Sequence, residues 1–186
     1  MKTILTAIIT FATFSTAIIA QNKDINTTDS KVVWKGYKVT GSHEGTINLQ
    51  SGTLTFKDEV LTGGTFVMDM TTISSTDLEG EYKGKLDGHL KSDDFFGVSN
   101  FATANLVFTK VTATGKNSYA VTGDLTIKGK TNPVTVNISV YGSKATATLK
   151  VDRTKFDVKY GSTSFFDGLK DKAIYDEFDL VVDLQF

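Results

Sequence analysis

The 186-residue sequence has no cysteine, two histidines, one arginine and one tryptophan. Without cysteine there is no disulfide, no thiol nucleophile and no lipid-modified N-terminal cysteine. His43 and His89 are too few for the usual metal clusters, and no His-x-x-x-His pair exists. Asp93-Asp94 and Asp176-Glu177 lack the glycine-bracketed pattern of a calcium loop. Arg153 stands alone, so bidentate clamping of phosphate is hardly available. Twenty basic residues face 21 acidic ones, for a formal charge of −1; the clear basic excess of a nucleic-acid binder is missing.

No apolar run reaches the ~20 residues that a membrane-spanning helix needs. The longest, over residues 4–14, follows Lys2 and leads to the small residue Ala20, which reads as a secretory signal peptide. Residues 1–20 are therefore expected to be removed, and residues 21–186 to form a single domain that is periplasmic or secreted. That domain must be stabilised by a core, and 40% hydrophobic residues with 13 Phe can supply one.

What the chain does contain is alternation of period two. Val134, Val136, Ile138 and Val140 alternate with polar residues, and so do Ala145, Ala147, Leu149 and Val151. Gly142-Ser143 between these runs suits a type II′ hairpin. Tyr119, Val121, Leu125 and Ile127 mark another strand, with Gly123 where a sheet can bend. Phe178, Leu180, Val182, Leu184 and Phe186 mark the last one. Phe66, Met68 and Met70 are expected to follow a turn at Gly63-Gly64. Weaker strands fit residues 32–39, 47–49, 54–56 and 104–111. Many short strands with glycine turns indicate a sandwich or barrel, and closure removes exposed edges, which favours the barrel.

Residues 76–96 break the rhythm. Leu78, Tyr82, Leu86 and Leu90 recur every four positions, the spacing of a helical face. Gly80, Gly84 and Gly88 weaken that helix by about 1 kcal/mol each relative to alanine, so it must dock on the sheet. His89 and Asp93 share the spacing of an oriented base on a helix, but no serine-centred nucleophile motif accompanies them. The plainer expectation is that Ser92 caps a following turn whose N-terminal end holds Asp93 and Asp94. Phe95-Phe96 fit a helix end, packed in the core or forming an apolar lip at a barrel mouth. Apolar parity flips between Val151 and Phe156, which predicts a bulge over residues 152–155. Arg153 then sits at a pocket rim or pairs with a buried carboxylate.

Five stretches, "GSHEGTINLQSGTLTF", "LTGGTFVMDMTTI", "DGHLKSDDFFGV", "YAVTGDLTIKGKTNPV" and "VDRTKFDVKYG", together resemble the YceI-like family of bacterial polyisoprenoid-binding proteins. They occur in the family's order and cover nearly all of residues 21–186. Two positions depart from the family pattern: Gly97, where aspartate is common, and Ala102, where proline is common. The resemblance implies an all-β fold, a lipocalin-like antiparallel barrel of about eight strands with a short helical insert around residues 76–96. It also implies a long isoprenoid held in the apolar interior.

Such a pocket would be lined by Phe66, Met68, Met70, Phe95, Phe96, Leu106, Phe108, Val121, Leu125 and Ile127, with Arg153 at its rim. No catalytic or metal-binding residue is expected, and no cofactor apart from the bound lipid. The expected partner is an isoprenoid or quinone-like lipid, for carriage, storage or sequestration. Transient membrane contact and a homodimer are compatible with this; a nucleic-acid partner is not. Competing readings are a barrel for another lipophile such as a fatty amide, and a fully packed stress-response barrel without ligand. A lipid hydrolase or isomerase would need a nucleophile or base that the motifs do not supply.

Overall fold

Alternating burial builds nearly every strand of the computed structural model, which describes residues 20–186. Of the expected signal peptide, residues 1–20, all but Ala20 lies outside the described residues. The strands are β1 (Ala20–Asp24), β2 (Lys31–Lys38), β3 (Gly41–Lys57), β4 (Val60–Ser75), β5 (Thr103–Gly115), β6 (Ser118–Ile127), β7 (Lys130–Tyr141), β8 (Lys144–Asp152) and β9 (Ile174–Gln185). In β7, Val136, Ile138 and Val140 are buried while Thr135 and Asn137 are exposed. Each such inward Val or Ile contributes about 1.5–3 kcal/mol of burial, so a register slip of one residue would be costly.

Strands β2 to β9 run antiparallel in the order β3-β2-β9-β8-β7-β6-β5-β4, and pairing of β3 with β4 closes the ring. The result is the expected eight-stranded lipocalin-like barrel, with β1 added along the C-terminal part of β3, Thr53 to Lys57. One end is closed by side chains: Leu54, Leu61, Tyr119 and Val121 are buried there, and Phe56 packs 5.8 Å from Phe186. The other end carries helix α1 (Gly80–Lys91), the turn after it, and the long β8–β9 connection.

Several local expectations are corrected. The β3–β4 turn is at Asp58-Glu59, both with positive φ (50° and 64°), and not at Gly63-Gly64. Those glycines lie inside β4, opposite Thr55 and Leu54. Gly64 is required by packing, since a Cβ there would come within 2.9 Å of the Phe108 ring. The two short strands expected at 47–49 and 54–56 are one strand, β3, bent by shifts in its register with β4. Gly142 does take the positive φ of the β7–β8 hairpin (61°). Near residue 153 there is no bulge. The strand ends at Asp152, which caps a single 3₁₀ turn (Arg153–Phe156) by accepting from the Thr154 N–H. Leaving the sheet resets the parity.

The helical insert is shorter than its apolar spacing predicts. Leu78 precedes α1, Tyr82 is exposed, and only Leu86 and Leu90 turn inward. Residues four apart advance 40° beyond a full turn, so a stripe of this spacing drifts off one face within three steps. A polar clasp docks the helix instead. The Asp87 carboxylate accepts from the Ser75 N–H (2.7 Å) and Ser74 Oγ (2.8 Å), and Lys83 Nζ reaches Asp87, Ser74 Oγ and the Ser75 carbonyl. Desolvation pushes the Asp87 carboxyl up, but the Ser75, Lys83 and Ser74 hydrogen bonds outweigh it and hold its pKa at about 2. Ser92 opens the next turn through its carbonyl and not through its side chain, whose hydroxyl donates back to the His89 carbonyl of α1 at 2.7 Å.

Candidate functional site

Inward residues from every barrel strand leave two apolar chambers in series. The upper one, beneath α1, is a cavity of about 90 Å³. Its wall includes Trp34, Ile47, Met70, Leu90, Phe95, Phe96, Ile127 and Phe178, and Arg153 is its one charged residue. The lower one, also of about 90 Å³, is walled by Leu49, Phe66, Met68, Leu106, Phe108, Leu125 and Val136 among others, with no charged residue. Ile47 on β3 and Leu180 on β9, either side of β2, belong to both walls; this shared stretch of wall is the waist along which the two chambers adjoin. Below the lower chamber the packed end of the barrel forms a floor.

The structure therefore brings nine of the ten expected apolar residues to a chamber wall. Met70, Phe95, Phe96 and Ile127 line the upper chamber; Phe66, Met68, Leu106, Phe108 and Leu125 line the lower. Val121 lines neither, being fully buried in the floor cluster. Phe95 and Phe96 are both buried, with ring centroids 5.0 Å apart, in the turn that follows α1. That turn is tied by the Phe95 and Gly97 N–H groups donating to the Ser92 carbonyl. Sequence reasoning missed Trp34, Ile47, Leu180 and Phe178 as wall residues. Their parity was readable: Trp34 alternates with Val32, and Phe178 and Leu180 share the inner face of β9.

Arg153 is 2% exposed, and its guanidinium is occupied by main chain. Nε donates to the Tyr175 carbonyl (3.0 Å), Nη1 to Val158 (2.7 Å) and Nη2 to Ile174 (3.0 Å), with Asp176 at 3.6 Å. Its Cζ also sits 5.6 Å from the Phe95 ring centroid. Burial pushes its pKa down, opposed by Asp176 and Asp152. Arg153 thus joins the end of β8 to the start of β9 while presenting one face to the upper chamber.

A third cavity opens at the helix end. It shares Trp34, Leu90, Phe95 and Ile174 with the upper chamber and adds Lys38, His43, Leu86 and His89. Both histidines of the chain meet there. His43 Nδ1 lies 2.8 Å from Asp77 Oδ2. Desolvation raises the Asp77 carboxyl, but the bonds from His43 and the Glu44 N–H bring it below the usual range. The His89 ring meets Tyr160 edge-on at 4.4 Å and Phe95 at 5.3 Å. Burial lowers its pKa, partly offset by Asp94. The His89–Asp93 pairing does not form, because α1 ends at Lys91; Asp93 accepts instead from Asn100 at 3.3 Å. Among the described residues, no three His, Asp or Glu side chains converge as a metal site requires.

A YceI-like domain model matches residues 24–186. A UPF0312 protein of Vibrio parahaemolyticus is 28% identical over 67% of this chain and 69% of its own length. A UPF0312 protein of Pseudomonas fluorescens is 36% identical over 47% of this chain and 48% of its own. The chain thus aligns with about half the length of the Pseudomonas relative. Among solved structures, BcnA of Burkholderia cenocepacia superposes with a TM-score of 0.68 at 22% identity, over 86% of this chain and 98% of BcnA. A polyisoprenoid binding domain from Saccharophagus degradans, implicated in plant cell wall breakdown, superposes at 0.57 with 12% identity, over 91% and 99%. Those likenesses reach the fold, while the domain match extends from β1 through the last strand: the chain belongs to the YceI-like family.

Proposed function

We propose that this protein is an extracytoplasmic lipid carrier that holds a long isoprenoid, polyprenyl or quinone-like, in the barrel. The observation that carries the reading is the pair of apolar chambers joined at Ile47 and Leu180, with one charged residue in their walls. A chain threaded through both would bury its length against walls made almost wholly of apolar side chains. A structural neighbour described as a polyisoprenoid binding domain supports the same ligand class.

Energetics favour a carrier. Burying ~40 chain carbons at ~0.8 kcal/mol each nominally exceeds 30 kcal/mol, beyond the ~18–21 kcal/mol at which affinities saturate. Ordering the chain removes part of this. A lipid in a bilayer is already out of water, so transfer into the barrel is close to an exchange and is reversible. Transient membrane contact fits the β8–β9 connection, where Phe165 and Phe166 are 49% and 51% exposed. The base of that connection is Tyr160, which touches His89, and Ile174, which lines the upper chamber.

The test is gentle purification from the native host, organic extraction and mass spectrometry. About one isoprenoid per protein is the expected result. A fatty amide in its place would transfer the reading to another lipophile. Lipid-free protein that also takes up no polyprenyl lipid or quinone from vesicles would sink the proposal in favour of a packed barrel.

A further inference from the structure

We infer that the cavity at the helix end is a head-group site, selecting lipids whose head carries a hydrogen-bond acceptor oxygen. The inference rests on the carrier reading and goes past it, from the tail to the head. The two apolar chambers explain a hydrocarbon tail, yet they do not explain why the path to them passes Lys38, His43, His89 and Trp34. Both histidines of the chain, from β3 and α1, converge on this one cavity, and so does its only tryptophan.

Trp34 carries the argument. It is 7% exposed, it lines both this cavity and the upper chamber, and its Nε1–H has no hydrogen-bond partner in the protein. An indole N–H can only donate, and so can the Lys38 ammonium. Buried donors are rarely left unpaired, so the Trp34 N–H, at the junction of a polar cavity and an apolar chamber, calls for an acceptor from outside the chain; Lys38, at the partly exposed rim, is a second donor. His89 Nε2 is also buried without a partner, and an imidazole nitrogen can donate or accept. Asp77, which contacts the His43 ring, is already engaged by His43 Nδ1 and the Glu44 N–H, and it orients that ring. A phosphate or a quinone carbonyl supplies the missing acceptor; a plain hydrocarbon does not. The head would rest at the helix end, with the tail running through the upper chamber and past the waist.

The experiment offers the full-length folded protein three lipids of equal isoprenoid length in neutral vesicles: a polyprenyl phosphate, a polyprenyl quinone and the headless hydrocarbon. Bound lipid per protein is read by mass spectrometry for the wild type, Trp34→Phe and Lys38→Met. Wild type should prefer both head-bearing lipids. Trp34→Phe should reduce that preference roughly tenfold, the effect of one lost hydrogen bond; the preference is read as the ratio of head-bearing lipid to hydrocarbon, so a change in the chamber wall common to all three lipids cancels. Lys38→Met, at the partly exposed rim and away from the core, provides a variant whose folding is not at stake. A loss there confined to the phosphate arm would identify an anionic head, and a loss in both arms a shared acceptor. Equal uptake of all three lipids by wild type, or a head preference that survives both substitutions, would overturn the site while leaving the carrier standing. Uptake of none of the three would remove the carrier reading, and the head site with it.

Discussion

Arg153 shows how one side chain can hold a barrel end together. Three of its N–H groups satisfy main-chain carbonyls of Val158, Ile174 and Tyr175, all beyond the end of β8. Lysine has the charge but not the planar fork that reaches three acceptors. Arg153→Lys is therefore expected to cost about 2–4 kcal/mol, because buried carbonyls are left unpaired; the urea midpoint measures it, and an unchanged midpoint would contradict the clasp. Only half of this was legible beforehand. Alternation pointed Arg153 inward, but its partners are main-chain groups up to 22 residues away, which no side-chain pattern records. His89 adds a pH dependence. Burial lowers its folded-state pKa below the unfolded value of about 6.5. As pH falls below about 6.5 the unfolded chain takes up the proton first, so stability declines until the folded-state pKa is passed. His89→Phe should flatten that part of the stability–pH curve. A slope unchanged by the substitution would assign it to other groups.

At the scale of elements, strands proved readable and the helix less so. A strand repeats every two residues, so a few alternations in β7 or β8 determine which side chains are buried. Charge should follow that parity. Val136→Asp is expected to destabilise by several kcal/mol and Thr135→Asp to shift the melting temperature little, because an isolated buried carboxylate is poorly compensated. Similar losses from both would invalidate the inner-face assignment. For α1 the apolar spacing misled because docking is polar, through Asp87 to the Ser75 main chain. A Leu-every-four pattern was visible in the sequence, whereas an aspartate facing a strand end was not. Asp87→Ala should cost about 1–3 kcal/mol. The same carboxylate makes the docking acid-sensitive: its pKa is lowered from 3.8 to about 2, so its stabilisation is present above 3.8 and is lost as pH falls through about 2. Hydrogen exchange of α1 amides should rise in Asp87→Ala at neutral pH. Protection equal to wild type would mean that Leu86 and Leu90 alone hold the helix.

For the molecule as a whole, the closed barrel was legible because eight alternating segments need a common interior, while the division of that interior was not. Which inward residues border both chambers depends on strand tilt and register, so nothing in the sequence marked Ile47 on β3 and Leu180 on β9, either side of β2, as the waist. That waist makes a length selector. A tail short enough for the upper chamber need not pass Ile47 and Leu180, whereas a longer one must, because Leu54, Phe56 and Val121 block the floor. Ile47→Phe adds volume at the constriction without touching the cavity that holds Lys38, His43 and His89. Overpacking of this kind costs ~1–3 kcal/mol in a filled core, so the barrel should still fold, with a somewhat lower melting temperature. Bound isoprenoids should shift to shorter chains, and offered long chains should lose affinity while short ones retain it. Met70→Trp, which fills the upper chamber itself, should instead exclude chains of every length. Mass spectrometry of lipids taken up from a mixture of chain lengths separates the two variants. An unchanged length distribution in Ile47→Phe would mean that the tail does not thread the waist and that the upper chamber alone accommodates it.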